Sequence, residues 1–491
     1  MGQSEIQFII HSMPPVVPSQ VWIKIVFPLV FVVGFGVLPL GKQVFDLSAT
    51  IRVAVRDGQH AVAVKGLHKL LDYQPWRTEL WERAGIEQYL QGQNELAIHD
   101  LKQAEGQLTI QGLDTLANAY EKSGQYAAAS DMWARVVARQ PTPEEYDRLV
   151  KTLWKAGSMD EAIRALRGWQ QLEPFNPQVA FRLGLFLSAD HPEEALSQLT
   201  EAVRLKPDYA ADLDVMQRAF ALADLNADDG YRYTVIGRAL ASLNEWDLAE
   251  QSFRKATQAN PTYAEAWALL GEAHLQLGQD GSDELVKALE LNPNSVLSRA
   301  LMALYLGRGE RWDEAIDQLR QAARLEPDRA VWRIEIGNLY AQKGDLIAAQ
   351  KEFQAAIDLE PRNAQTWYAM ASFSYQYAFD LDQTGEPAAR EVLAINEKDA
   401  RGNDLLGAIL IELGRDVDGE KYLMKAQELN PGLAEAYLHL GSLYLQRQQM
   451  AGAYEQLSRA VRLDPNGVTG ELARRLLERY FDDPSLGTPP P

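Results

Sequence analysis

The sequence predicts an all-α solenoid of stacked helical hairpins, and three observations carry that prediction: a fixed period, an amphipathic pattern inside it, and turn residues at its joints. Prolines close short L-x-P or N-P endings at Pro261, Pro293, Pro327, Pro361, Pro431 and Pro465, with steps that cluster at 34 residues. Glu397 fills the missing place between Pro361 and Pro431, and Pro75, Pro141, Pro174 and Pro207 keep a step near 33. Self-similarity at such a period marks one supersecondary unit stacked on its own copies. An array of this kind lengthens without starting new cores, so the 491 residues do not translate into several globular domains.

One unit shows the pattern. Residues 330–363 place Ile336, Gly337 and Tyr340 on a first helix, turn at Gly344, and place Ala349, Phe353 and Ala356 on a second. Spacings of three and four put each set on one helical face. Gly337, Ala349 and Ala356 let the two helices approach closely, while Tyr340 and Phe353 fill the space between neighbouring hairpins. Gly344 permits the tight turn, and Pro361, lacking a backbone donor, ends the second helix.

Small, aromatic and proline positions in this order resemble the tetratricopeptide repeat (TPR) family. Further copies carry Tyr233, Ile236, Gly237, Ala249, Phe253, Ala256 and Pro261, and then Tyr437, Leu440, Gly441, Tyr444, Ala453, Ala460 and Pro465. Residues 44–209 form a divergent N-terminal array, in which Trp81, Gly85, Gly92, Ala97 and Ala104 are still legible, and 230–467 form the C-terminal array. About twelve units are expected in all. A single irregular helix is expected over 210–229, where the proline step stretches to 54. The unit after Pro261 is two residues short and the one after Pro361 two long. Residues 468–481 read as a closing helix with Arg474, Arg475, Glu478 and Arg479 on a wetted face, and 482–491 as a proline-rich tail.

The resemblance implies a right-handed superhelix of helix-turn-helix repeats whose first helices line a concave groove that binds proteins or peptides. Mapped onto this chain, the groove candidates are Asp114, Asn118 and Glu121, then Thr234 and Arg238, then Asn338. The lysine, asparagine and arginine combination of the subfamily that clamps chaperone C-termini is not present at those positions. Trp367, Tyr368, Phe373, Tyr375, Tyr377 and Phe379 crowd six aromatics into thirteen residues, more than one apolar stripe buries. Some are therefore expected to be exposed, with Tyr368, Tyr375 and Tyr377 as binding candidates.

Val21 to Leu40 holds twenty residues with Lys24 as the one charge, enough for a helix to cross about 30 Å of hydrocarbon. The preceding tail, 1–20, has no lysine or arginine, and no A-x-A-like site precedes Val44, which favours an uncleaved single-pass anchor over a leader. Lys42, Arg52 and Arg56 follow the segment while Lys24 alone lies at its start, which favours a cytoplasmic solenoid. Residues 44–77 are mildly basic within an acidic chain, a pattern suited to an anionic leaflet.

A net charge of -20 disfavours nucleic acid as a partner, and the absence of cysteine excludes thiolate chemistry, disulfides and cysteine-ligated zinc. The seven histidines are scattered over different units, with no HExxH. Asp224, Asn226 and Asp228 open like a calcium loop, but Asp229 stands where glycine belongs and Val235 where the bidentate glutamate belongs. No phosphate loop or nucleophile elbow occurs. The reading is a membrane-anchored scaffold with no catalytic residue, cofactor or metal. Its rivals are a regulatory subunit of a membrane enzyme, for instance in envelope polymer assembly, and an exported protein released from its leader.

Overall fold

The computed structural model describes residues 41–481, so the tail 1–20, the apolar stretch 21–40 and the tail 482–491 lie outside the described residues. Within them no helix is long and apolar enough to cross a membrane. The chain divides into two compact units, one ending at Asp214 and the other starting at Val215.

The first unit stacks five hairpins: α1 (41–56) with α2 (His60–Tyr73), α3 (Thr78–Leu90) with α4 (Asn94–Gln103), α5 (Ile110–Lys122) with α6 (Tyr126–Arg139), α7 (Pro143–Lys155) with α8 (Met159–Leu172), and α9 (Pro177–Leu187) with α10 (Pro192–Leu205). A lone helix, α11 (Ala210–Ala223), contains the unit boundary.

The second unit stacks seven hairpins: α12 (Asp229–Ser242) with α13 (Trp246–Ala259), α14 (Ala264–Gln276) with α15 (Ser282–Leu291), α16 (Val296–Arg308) with α17 (Trp312–Leu325), α18 (Ala330–Lys343) with α19 (Leu346–Leu359), α20 (Ala364–Gln376) with α21 (Glu386–Ile395), α22 (Ala400–Glu412) with α23 (Asp416–Leu429), and α24 (Ala434–Gln446) with α25 (Met450–Leu463). The closing helix is α26 (Val468–Phe481).

Local chemistry sets the ends of these helices. Thr142 accepts from the amide of Glu145 and is followed by Pro143, whose missing donor costs nothing in a first turn. Asn176 with Pro177 starts α9 in the same way. Gly344 closes α18 in the left-handed region, φ 90°. Within a hairpin, a first-helix glycine sits under a second-helix side chain: a methyl on Gly237 would lie 2.5 Å from the Phe253 ring. Phe353 packs likewise on Gly337 and reaches the next hairpin, its ring centroid 5.0 Å from that of Phe373. It is fully buried, so Phe353→Ala would cost about 3–5 kcal/mol.

Successive hairpins are also stitched by an indole. Trp81, Trp267 and Trp367 donate Nε1–H to the carbonyls of Pro75, Pro261 and Pro361, six residues back, at 3.0, 2.9 and 2.9 Å. The proline that ends one hairpin therefore holds the first helix of the next.

The irregular units are absorbed locally. α15 is only ten residues long, and a side chain at Gly281 would press within 2.3 Å of the Gly271 carbonyl oxygen. The long unit after Pro361 folds its surplus into a π-helical turn, Leu381–Gly385, ahead of a ten-residue α21. At the end of the array, Ala473 and Leu477 of α26 pack on Leu457 and Ala460 of α25. Arg474 departs from the wetted face expected for it. Its side chain is 13% exposed and donates to Glu471 and to the Pro465 carbonyl, because its stem lies over the preceding turn.

Candidate partner-binding surface

First helices touch first helices along much of each unit, α3 with α5 in the first, and in the second α12 with α14, α14 with α16, α18 with α20, α20 with α22 and α22 with α24. Each unit thus has a face built from first helices, where side chains one repeat apart become neighbours.

In the first unit ion pairs link first helices one repeat apart. Arg148 of α7 pairs with Asp114 of α5 at 2.8 Å, and Arg182 of α9 repeats the step one hairpin on with Asp147 at 2.6 Å. Burial pushes the Asp114 carboxyl up, against the opposing pull of Arg148. Asn118 turns its amide onto the Asp114 carbonyl of its own helix, at 2.8 Å. Glu121 accepts from the indole of Trp133 at 2.7 Å and from the Thr152 hydroxyl. It joins α5, α6 and α7, so its role is in packing rather than in an open groove. The buried Trp133, which needs a partner for its N–H, takes that carboxylate.

In the second unit Thr234 and Arg238 line one cavity of about 390 Å³ between α11, α12 and α14, with Val215, Leu222 and Tyr231. Thr234 is only 1% exposed and donates its hydroxyl to the Gly230 carbonyl of its own helix, so it offers a partner little more than a methyl. Arg238 pairs with Glu265 at 2.9 Å, and Tyr263 donates to the same carboxylate at 3.0 Å. Asn338 lines a second cavity, of about 480 Å³, between α16 and α18, with an apolar floor of Ala300, Leu304 and Leu339.

A gathering of polar and aromatic groups lies on α20, α22 and α24. The Arg401 guanidinium stacks on Tyr368, 4.9 Å from the ring centroid, and among the described residues no carboxylate lies within ion-pair distance of it. Asp404, three residues on and 7% exposed, accepts from Nδ1–H of His439 at 2.8 Å. A carboxylate only accepts, so Nδ1 carries the proton. Tyr375 meets the His439 ring edge-on, centroids 5.7 Å apart. Burial pushes the Tyr375 hydroxyl up to about 12, helped by Glu412 and Asp404. Burial alone would lower the His439 pKa, but Asp404, Glu435 and Glu412 reverse that and hold it above the ordinary imidazole value.

The aromatic run divides in two, and none of its six members is exposed. Tyr368 and Tyr375, seven apart, face the next first helices. Tyr377, past the end of α20, lies with Phe379 against Phe373, at 5.7 and 5.6 Å between centroids. The π-helical turn supplies the space that takes them in, so Tyr377 does not join the other two. Arg401, Asp404 and His439 were not singled out by the sequence. The signal is the repeat itself, because acid and imidazole are 35 residues apart, one unit. Two further imidazole–carboxylate pairs lie in the first unit at shorter separations of 27 and 32 residues, His60 with Glu87 at 2.7 Å and His68 with Asp100 at 2.5 Å.

Among the described residues no group of three histidines or carboxylates is placed to hold a metal ion. Asp228 caps α12 by accepting from the amides of Gly230 and Tyr231, and takes the Asn260 amide on its second oxygen.

Models described as tetratricopeptide repeat match residues 115–177, 301–364 and 434–466, and a model described as TPR repeat matches 237–278. These segments are tetratricopeptide repeats. The chain is 33% identical over 86 residues to anaphase-promoting complex subunit 3 of Dictyostelium discoideum, covering 18% of this chain and 9% of that one. It is 25% identical over 272 residues to BBSome complex member BBS4 of Bos taurus, covering 55% and 51%. It thus spans about half or less of the length of these curated relatives. The crystal structure of yeast Tom70 is similar at 14% identity and a TM-score of 0.42, covering 91% of this chain and 98% of that one.

Proposed function

We propose that this TPR chain is a non-catalytic scaffold, held at a membrane through residues 21–40, that takes a protein or peptide segment on the first-helix face of α20, α22 and α24. The observation that carries the reading is the convergence of Tyr368, Tyr375, Arg401, Asp404 and His439 from three successive hairpins. Tyrosine and arginine dominate binding hot spots because they present wide, rigid contact area with a polar tip. Arg401 adds an exposed cation with no counter-ion among the described residues, while Asp404 fixes the imidazole and leaves its other nitrogen for a ligand. Two of the relatives are named as members of multiprotein complexes, which supports the same class of function.

The test is cross-linking capture from membranes with the full chain, compared with Arg401→Ala, with Tyr368→Ala and with the distant control Arg475→Ala. A partner held by the wild type and the control but lost from both site variants supports the reading. The same partner held by all four moves the site elsewhere. A partner that brings enzymatic activity with it favours the regulatory-subunit alternative.

The cytoplasmic placement rests on Lys42, Arg52 and Arg56 after the apolar stretch. The chain has no cysteine, so Phe175→Cys, at a position 76% exposed, reports sidedness. An impermeant maleimide reaches it only after lysis if the array is cytoplasmic. A mature chain beginning beyond Leu40 would instead establish release from a leader.

A further inference from the structure

The first hairpin carries a feature that the rest of the array does not explain. α1 buries Ile51 and Ala54 and packs Leu47 against α2 and α3. The opposite side of the helix gathers Lys42, Phe45, Arg52, Val53 and Arg56 into one sector about 100° wide, at helical spacings of three, four and seven. Phe45 is 68% exposed and Val53 50%, apolar surface that no neighbouring hairpin covers. α2 adds Lys65 and Lys69, both exposed, beside Val62. Among the described residues none of Lys42, Arg52, Lys65 and Lys69 has a carboxylate within ion-pair distance, although the chain as a whole carries -20. Arg56, the fifth member of the sector, is paired with Asp57 at 2.9 Å.

We propose that this outer side of the α1–α2 hairpin docks on an anionic lipid surface. Phe45 and Val53 enter the boundary between headgroups and acyl chains, and the four unpaired cations lie among the phosphates. A helix with aromatic and aliphatic groups flanked by Lys and Arg suits that interface, where each basic side chain contributes about 1 kcal/mol, roughly a fivefold gain in binding. Sequence position supports the choice of occupant, because the twenty apolar residues 21–40 end directly before α1. The docking orients the array at the membrane and does not depend on the partner site of α20–α24.

The absence of native cysteine allows a single environment-sensitive label at Val62→Cys, with Leu225→Cys, 78% exposed, as control. The full chain is reconstituted in nanodiscs of phosphatidylcholine alone or with a third phosphatidylglycerol. Protection of the Val62 label from an aqueous quencher is expected only in the anionic discs. It should fade in high salt, whose screening length is about 3 Å at 1 M, and be lost when Lys42, Arg52, Lys65 and Lys69 are changed to glutamine. A second variant, Phe45→Ser with Val53→Ser, keeps the charge and should lose protection as well. Equal protection in neutral and anionic discs, no protection in either, or equal protection by an RNA homopolymer without lipid would each overturn the proposal. None of these results bears on partner capture by Arg401.

Discussion

Tyr375 and His439, two repeats apart in the chain, meet edge-to-face at 5.7 Å between ring centroids, with Asp404 of the intervening repeat bonded to the imidazole. Three hairpins thereby share one polar contact, and its protonation is linked to their stacking.

The linkage has a definite sign. The folded-state pKa of His439 is raised, so its stabilising contribution is fully present below the unfolded value of about 6.5 and is lost as pH rises through the folded value. A nitrogen-detected titration of His439, assigned with His439→Gln, should show a midpoint above about 6.5. Asp404→Asn leaves burial as the main influence, and the midpoint should fall below that value. A midpoint unmoved by Asp404→Asn would show that the pair is not coupled.

Glu121→Ala separates packing from binding. It strands the indole N–H of Trp133, which is fully buried, and an unmet buried donor costs about 1–3 kcal/mol. The denaturation midpoint should drop while partner capture through the second unit persists. Loss of capture with an unchanged midpoint would return Glu121 to the list of binding residues.

Two glycines should answer oppositely to the same change. Gly237→Ala gains up to about 1 kcal/mol of helix propensity, but sets a methyl 2.5 Å from a buried phenyl ring, and overpacking of this kind costs about 1–3 kcal/mol. Gly307→Ala meets the flexible end of Leu339 at 3.2 Å and the Trp312 ring at an ordinary contact distance of 3.9 Å. Melting temperatures should fall for the first and stay level or rise slightly for the second.

Much of the architecture was legible in the chain. Proline steps of 34, glycines at the turns and the small and aromatic pairs Gly337/Phe353 and Gly237/Phe253 dictate hairpins, because each requirement is local or lies within one unit. The short α15 and the single α11 follow from the same punctuation. What sequence reasoning could not supply was the surroundings of each polar residue. Glu121 and Asn118 look alike as exposed helix positions, yet one bridges three helices and the other bonds its own backbone.

The sequence by itself determined the repeat, its register and its irregular joints, since covalent spacing and helical period set those. The tertiary structure alone decided which side chains meet. Stacking brings residues one period apart into contact, which pairs Asp404 with His439, buries Thr234, turns Tyr377 inward and sets Arg401 on the Tyr368 ring. The reason is physical: period and propensity act along one helix, whereas burial and charge pairing depend on what the next hairpin places opposite.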